Sequence, residues 1–179
     1  MRTNKMLVVA GIMMLLAACS VRSLHPLYED KDLVFEPGLL GTWAEKDSET
    51  WTFGRSGVNA YELVCTEEGK VTGRLDARLV RLGKHLFLDL YPKDVDESFT
   101  VPAHVFVKVR IEGDVLHVAI LDPGWLRDAL AQGKVRIPHV RLKPDDVLLT
   151  ASTAELQGFV REHAEDEKAF PPAKLRRKR

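Results

Sequence analysis

The side chains in this sequence that could do chemistry are six histidines, two cysteines and one acidic loop. Three of the histidines, His104, His117 and His139, fall on predicted strands. A two-residue turn at Glu112-Gly113 would place His104 and His117 far apart along paired strands. The sequence also lacks the H-x-x-x-H and H-E-x-x-H spacings that bring two ligands to one ion. The histidine pattern therefore predicts no metal site.

The other reactive residue types indicate no catalytic site. The acidic loop Asp94-Val-Asp-Glu97 lacks the oxygen spacing and the central glycine of a calcium loop, which favours a solvated connection. Cys65 alternates along Tyr61-Glu-Leu-Val-Cys, a pattern typical of a small side chain buried on one strand face. Ser56-Gly57 has no G-x-S-x-G elbow, and no glycine-rich phosphate loop occurs. We expect a protein that is not an enzyme and that holds no metal or cofactor.

Cys19 is the residue to which the sequence assigns a chemical role. Arg2 and Lys5 precede an apolar run of about eleven residues, Met6 to Leu16. This run is too short for a helix across a bilayer core of roughly 30 Å, but it fits the core of a secretory signal. It ends in Leu-Ala-Ala-Cys19, which resembles the lipobox of bacterial lipoproteins.

The lipobox resemblance implies that a diacylglycerol joins the sulfur of Cys19, that cleavage follows Ala18, and that the new amine receives an acyl chain such as palmitate. More than one acyl chain gives stable anchoring. The alternative is a plain signal peptide cleaved after Ala18. Ser20 stands where an aspartate commonly retains Gram-negative lipoproteins in the inner membrane, which favours the periplasmic face of the outer membrane.

The charge composition of the chain after the predicted leader indicates which classes of partner it could bind. Loss of Arg2 and Lys5 with the leader leaves 24 basic against 26 acidic residues. Such a balance predicts no general affinity for nucleic acid or for an anionic membrane. The chain after the leader suits a single domain with short appendages.

The region from residue 40 to residue 121 predicts an antiparallel β meander. Short runs rich in β-branched and aromatic residues alternate with glycine-containing turns. Leu86, Leu88 and Leu90 share one strand face, as do the alternate residues from Val105 to Ile111. One apolar and one polar face is typical of a half-buried antiparallel sheet. Seven such strands must close or fold over to cover the apolar face.

Two helices follow the strands. The first is expected near residues 124–132, beginning beside Pro123 and ending before Gly133. The second is expected near residues 152–165, where Ser152 and Glu155 form a capping box. The predicted division is a signal peptide at 1–18, a lipidated tether at 19–38 that packs on the domain, a β-barrel domain with helices at 39–166, and a basic disordered tail at 167–179.

The tripeptide Gly41-Thr42-Trp43, just before the first predicted strand, resembles the G-x-W motif of the lipocalins and the wider calycin barrels. The resemblance implies an eight-stranded up-and-down barrel. It also implies that Trp43 packs across the closed end and that Gly41 permits a close backbone approach. Arg141 is the nearest candidate by position for an arginine stacked on Trp43. The chain departs from the family by lacking a T-D-Y motif and by placing a helix before the last strands.

Two functions fit these features. The first is a membrane-anchored, non-enzymatic carrier that holds a small amphipathic or lipid-like ligand inside the barrel. Its candidate lining residues are Trp43, Trp51, Phe53, Tyr61, Phe87 and Phe106. The alternative is a structural or accessory cell-envelope lipoprotein whose barrel is filled by side chains and whose surface docks a protein partner. Interior volume separates the two functions.

Overall fold

The computed structural model describes residues 20–46, 48–93, 101–143 and 146–178. The strands in this part are β1 (Arg22–Ser23), β2 (Gly41–Lys46), β3 (Glu49–Arg55), β4 (Tyr61–Glu67), β5 (Lys70–Leu82), β6 (His85–Pro92), β7 (Val105–Glu112), β8 (Val115–Ile120), β9 (His139–Lys143), β10 (Asp146–Leu149) and β11 (Pro172–Arg177). The helices are α1 (Pro123–Ala131) and α2 (Thr153–His163), and two short 3-10 helices lie at Asp30–Asp32 and Pro37–Leu39.

Eight strands form a closed antiparallel barrel in the order β11-β2-β3-β4-β5-β6-β7-β8. Strands β2 to β8 follow one another in the chain, as their alternation predicted. Gly83 and Gly113 have positive φ angles at the turns between β5 and β6 and between β7 and β8, a conformation that short hairpin turns require. The predicted fold class, a mainly β barrel with two helices, is confirmed.

The eighth barrel strand comes from the end of the chain. β11 pairs with β8 from Pro172 to Arg176 and with β2 at Arg176 and Arg177. The prediction of a disordered tail is wrong for these residues. Leu175 enters the barrel at 2% exposure. The edges of β2 and β8 would otherwise have unpaired backbone groups, so pairing on both sides orders a segment that is highly charged.

A second layer covers part of the outer wall of the barrel. Strands β9 and β10 lie outside the barrel and form a three-stranded sheet with β1. Both helices match their predicted positions. The Asp122 side chain caps α1, and Ser152 with Glu155 forms the predicted capping box of α2. A hydrophobic cluster, here called the outer core, joins these elements to the outer face of strands β5–β8 and includes Phe87, Phe106, Leu126, Leu156 and Val160.

The segment before β2 runs along the domain and then crosses one end of the barrel. Leu27 is fully buried in the outer core. The backbone nitrogen of Val34 donates to the Leu79 carbonyl, next to an isolated bridge between Leu33 and Val80. Val34 and Phe35 then pack against the barrel interior. Residues 20–40 are therefore part of the folded domain.

Within residues 20–46, 48–93, 101–143 and 146–178, no helix is long and apolar enough to span a membrane. The predicted signal peptide, Cys19 and the acidic loop at residues 94–97 lie outside the described residues.

Candidate functional site

The barrel interior is the site that the sequence predicted, and the structure brings four of its six residues together there. Trp43, Trp51, Phe53 and Tyr61 lie in one cluster with the inward-facing aliphatic side chains of β4–β8 and β11, here called the barrel core. Trp51 and Phe53 make an edge contact with ring centroids 6.3 Å apart. Phe53 makes a similar contact with Tyr61 at 6.4 Å. Alternation on β3 and β4 therefore identified the inward face correctly.

Phe87 and Phe106 do not lie with the other four residues. Their neighbours Leu88 and Val107 are paired across β6 and β7 and belong to the barrel core. Adjacent side chains on a strand point to opposite faces, so Phe87 and Phe106 face outward. Both are buried in the outer core, beneath the helical layer. The placement of these two residues in the barrel lining is wrong, because both alternate with the inward-facing leucines and valines of β6 and β7 and therefore lie on the outer face, where the second layer buries them.

The barrel interior is filled by its own side chains. The buried residues of the barrel core are at most 4% exposed, Trp43 and Tyr61 have no exposed surface, and partly buried residues such as Leu86 and Ile111 pack against them. A cavity wide enough to admit water would leave exposed area on the side chains that form its walls. An eight-stranded barrel is just wide enough for side chains to fill its interior. The described residues therefore form a packed core.

One end of the barrel is closed around Trp43. Its indole Nε1 donates to the Leu39 carbonyl at 2.8 Å, and the guanidinium carbon of Arg177 lies 4.1 Å from the ring centroid. The two Nη atoms of Arg177 donate to the carbonyls of Leu40 and Gly38, each at 2.7 Å. The arginine stacked on Trp43 is therefore Arg177, and the candidate Arg141 is wrong because it lies on β9, outside the barrel.

Gly41 makes this closure possible. It has a φ angle of +112°, in the region that favours glycine, and a Cβ built on it would lie 2.8 Å from Nη1 of Arg177. The close approach that the G-x-W motif implied is thus an approach to the Arg177 side chain. On the other side of the same end, Tyr61 stacks on Phe35 with ring centroids 4.9 Å apart, and its hydroxyl accepts a hydrogen bond from the Glu36 backbone nitrogen. Burial raises the pKa of the Tyr61 hydroxyl.

Cys65 lies in the barrel core at 2% exposure. Burial raises the pKa of its thiol to about 12. The thiol is therefore protonated at neutral pH, and a protonated thiol is a poor nucleophile. This agrees with the prediction of a small buried side chain.

A polar pocket on the outer wall of the barrel contains side chains that the sequence did not connect. Asp89 on β6 points away from the barrel core and is only 1% exposed. Its Oδ1 lies 2.6 Å from Nδ1 of His104, and its Oδ2 accepts a hydrogen bond from the Leu27 backbone nitrogen at 2.6 Å. A carboxylate that accepts from Nδ1 fixes the proton on that nitrogen and leaves Nε2 of His104 for another contact. Tyr91 packs against the His104 ring at 4.6 Å.

The pocket beside this pair has a volume of about 250 Å³ and is also lined by Arg78, Asp76 and Tyr28. Arg78 lies directly opposite Asp89 across β5 and β6. The signal for this pairing was in the sequence. A two-residue turn at Gly83-Lys84 pairs Leu82 with His85, and the same register then pairs Arg78 with Asp89.

A larger groove of about 710 Å³ lies along β6–β8, beside the end of α2, and is lined by outward-facing side chains together with Val109 and Val118 of the barrel core. Several of its charged groups have partners. Lys84 pairs with Glu165 at 2.7 Å, His117 pairs with Glu112 at 2.9 Å, and Lys108 donates to the Ala164 carbonyl. Burial and the nearby Lys108 charge lower the pKa of His85. These contacts join the barrel wall to the end of α2, so we assign them to the stability of the second layer.

The remaining histidines do not converge. His139 contacts the Ile137 carbonyl through Nδ1, whereas His104 and His117 have the separate carboxylate partners described above. Among the residues that the structure describes, no group of three or more histidine, cysteine, aspartate or glutamate side chains could hold a metal ion.

Comparisons with protein-family models, with curated proteins and with solved structures found no match.

Proposed function

We propose that this protein is a non-enzymatic lipoprotein of the cell envelope, held at a membrane by lipid on Cys19, whose filled barrel is a rigid scaffold that docks a protein partner. The packed barrel core carries this proposal, because side chains that are at most 4% exposed leave no space for a ligand. A barrel whose interior is packed with side chains has no cavity for a ligand, which favours the accessory function over the carrier function.

The N-terminal segment is folded against the domain, so an anchor on Cys19 would be close to the domain. β1 begins three residues after Cys19, and it pairs with β10. Three residues span at most about 11 Å, so lipid on Cys19 would hold the three-stranded sheet close to the bilayer surface. The absence of aspartate at position 20 favours the outer membrane, on its periplasmic face. The closed barrel and the Trp43–Arg177 stack agree with the resemblance to lipocalins, and membership of that family is part of this proposal.

The Cys19→Ala substitution tests the anchor. We expect the variant to incorporate no labelled palmitate and to leave the membrane fraction, because it lacks the sulfur to which the lipid is joined. The measurement is metabolic labelling followed by membrane fractionation in a bacterial host. Cys65→Ala is the matched control, since it removes the other cysteine and should keep both label and membrane retention. A Cys19→Ala protein that still fractionates with membranes would contradict the anchor.

The filled barrel has its own test. We expect residues 20–179, purified from cells, to give a native mass equal to that of the polypeptide alone and not to displace a fluorescent fatty-acid probe. Bovine serum albumin, which binds fatty acids, serves as the positive control for the probe. A co-purifying mass in the lipid range, released by organic solvent and competing with the probe, would support the carrier function and overturn the filled scaffold.

A further inference from the structure

One nitrogen of the Arg78 guanidinium lacks a hydrogen-bond partner among the described residues. Its Nη1 is buried and has no hydrogen-bond partner within the part of the chain that the structure describes. The residue directly across the ladder is Asp89, an acidic side chain suited to pair with it. A buried donor without an acceptor is destabilising, and more so when it carries charge. Such a group in a folded protein is usually satisfied by an ordered water or by a bound ion.

Asp89 is committed to other donors. One carboxylate oxygen lies 2.6 Å from Nδ1 of His104, and the other lies 2.6 Å from the Leu27 backbone nitrogen. These two contacts use the carboxylate to orient the imidazole ring and the N-terminal segment. Arg78 and Nε2 of His104 are consequently among the groups at the pocket that can bond to a ligand.

The charged side chains and the small volume of the pocket determine which ligands it can hold. Two carboxylates lie at the pocket wall. Asp89 accepts the two hydrogen bonds above, and Asp76 lies 3.8 Å from the Lys93 ammonium. Arginine presents a planar pair of donors that matches phosphate and carboxylate groups. The volume of about 250 Å³ is below the usual range for a drug-sized ligand.

We infer that the pocket between Arg78 and His104 binds a compact oxyanion of the phosphate type. Arg78 donates to its oxygens, and Nε2 of His104 accepts from a hydroxyl of the ligand, either the P–OH of phosphate or a glycerol hydroxyl of a headgroup. Leu24 and Tyr28 form one wall of the pocket. Leu24 follows Cys19 by five residues, a distance of at most about 18 Å. Two sources therefore present this chemistry: free phosphate and the phosphate of a lipid headgroup. The headgroup source alone rests on the proposed anchor.

Inorganic phosphate is the first probe, used with residues 20–179. The chain from residue 20 contains all the packing described above, so it keeps the pocket. Isothermal titration should show saturable binding to the wild type. Arg78→Met should weaken it by about tenfold or more, as expected for loss of hydrogen bonds from a charged donor. Arg74→Met is the matched control, since Arg74 lies on the same strand and the same outer face but not at the pocket.

Thermal unfolding separates a lost ligand from a lost fold. Without phosphate, Arg78→Met should unfold at the wild-type temperature or above it, because the substitution removes an unpartnered buried charge. With phosphate at about one hundred times the wild-type Kd, the wild type and Arg74→Met should gain roughly 3–10 °C more than Arg78→Met, the lower figure for a tenfold loss of affinity and the higher for a complete loss. A non-specific salt effect would raise all three proteins equally.

Vesicles distinguish the two sources. Sedimentation with phosphatidylglycerol vesicles and with phosphatidylcholine vesicles should retain the wild type more than Arg78→Met if the ligand is a headgroup phosphate. Arg78-dependent binding in either the phosphate arm or the vesicle arm supports the inference and identifies the source. Binding that is equal in the wild type and Arg78→Met, or absent from both arms, overturns it. The Cys19→Ala fractionation tests the lipid anchor separately. If that test contradicts the anchor, the phosphate titration still decides whether the pocket binds an oxyanion.

Discussion

A chain that ends at Pro171 is expected to lose cooperative folding. This truncation removes β11, which supplies backbone pairs to β8 from Pro172 to Arg176 and to β2 at Arg176 and Arg177. It also removes Leu175, which is 2% exposed in the barrel core. Several hydrogen bonds at about 1 kcal/mol each, with about 2 kcal/mol for a buried leucine, approach the roughly 5–15 kcal/mol that stabilises a domain.

Residues 20–171 and 20–179 are to be compared by near-ultraviolet circular dichroism, thermal unfolding and size-exclusion chromatography. We expect the shorter chain to lose its near-ultraviolet signal and to aggregate, since β2 and β8 become open edges. The double variant Lys174→Ala/Arg176→Ala is the control, because both side chains are exposed on β11. A chain of residues 20–171 that melts cooperatively within a few degrees of the full chain would contradict the assignment of β11 as the closing strand.

Period-two alternation predicted most of the barrel because each hairpin pairs neighbours in the chain. The run Leu86, Leu88, Leu90 defines an inward face, and short turns fix the register of the next strand. The helix starts were equally readable, since Asp122 and Ser152 cap the helices through local hydrogen bonds. These are local signals, and they hold without knowledge of the rest of the fold.

β11 was not predictable on the same basis. Its sequence Pro-Ala-Lys-Leu-Arg-Arg contains one large apolar residue, Leu175, among charges. That composition is typical of a solvated tail when the segment is considered alone. The segment is a strand because the edges of β2 and β8, distant in the chain, leave one position open between them. Such a tertiary effect overrides local propensity.

The polar pocket escaped prediction for a related reason. Arg78 alternates with Leu79 and looks like an ordinary surface residue, and Asp89 falls among leucines as an isolated polar position. Only the cover provided by Leu27 and His104, from a different part of the chain, buries Asp89. The hairpin register connects Arg78 with Asp89, but it does not indicate that a second layer covers them. Burial of a strand's outer face depends on elements that alternation does not describe.

Arg177→Ala is expected to lower the free energy of unfolding by about 3 kcal/mol, roughly 10 °C in melting temperature for a domain of this size. The guanidinium holds the barrel end together through hydrogen bonds to the Gly38 and Leu40 carbonyls, each 2.7 Å long, and through its stack on Trp43. Alanine leaves both carbonyls without this donor and removes the group that covers the indole ring.

Urea unfolding followed by tryptophan fluorescence measures this effect directly, because Trp43 lies beneath the substituted side chain. Arg176→Ala is the matched control, since Arg176 is exposed on the same strand and the substitution removes the same charge. Arg177→Lys should restore little of the loss, because an ammonium lacks the planar donor pair that reaches two carbonyls and stacks on the ring. If Arg177→Ala and Arg176→Ala unfold at the same urea concentration, charge alone is important at this end, and the stack on Trp43 does not hold the barrel closed.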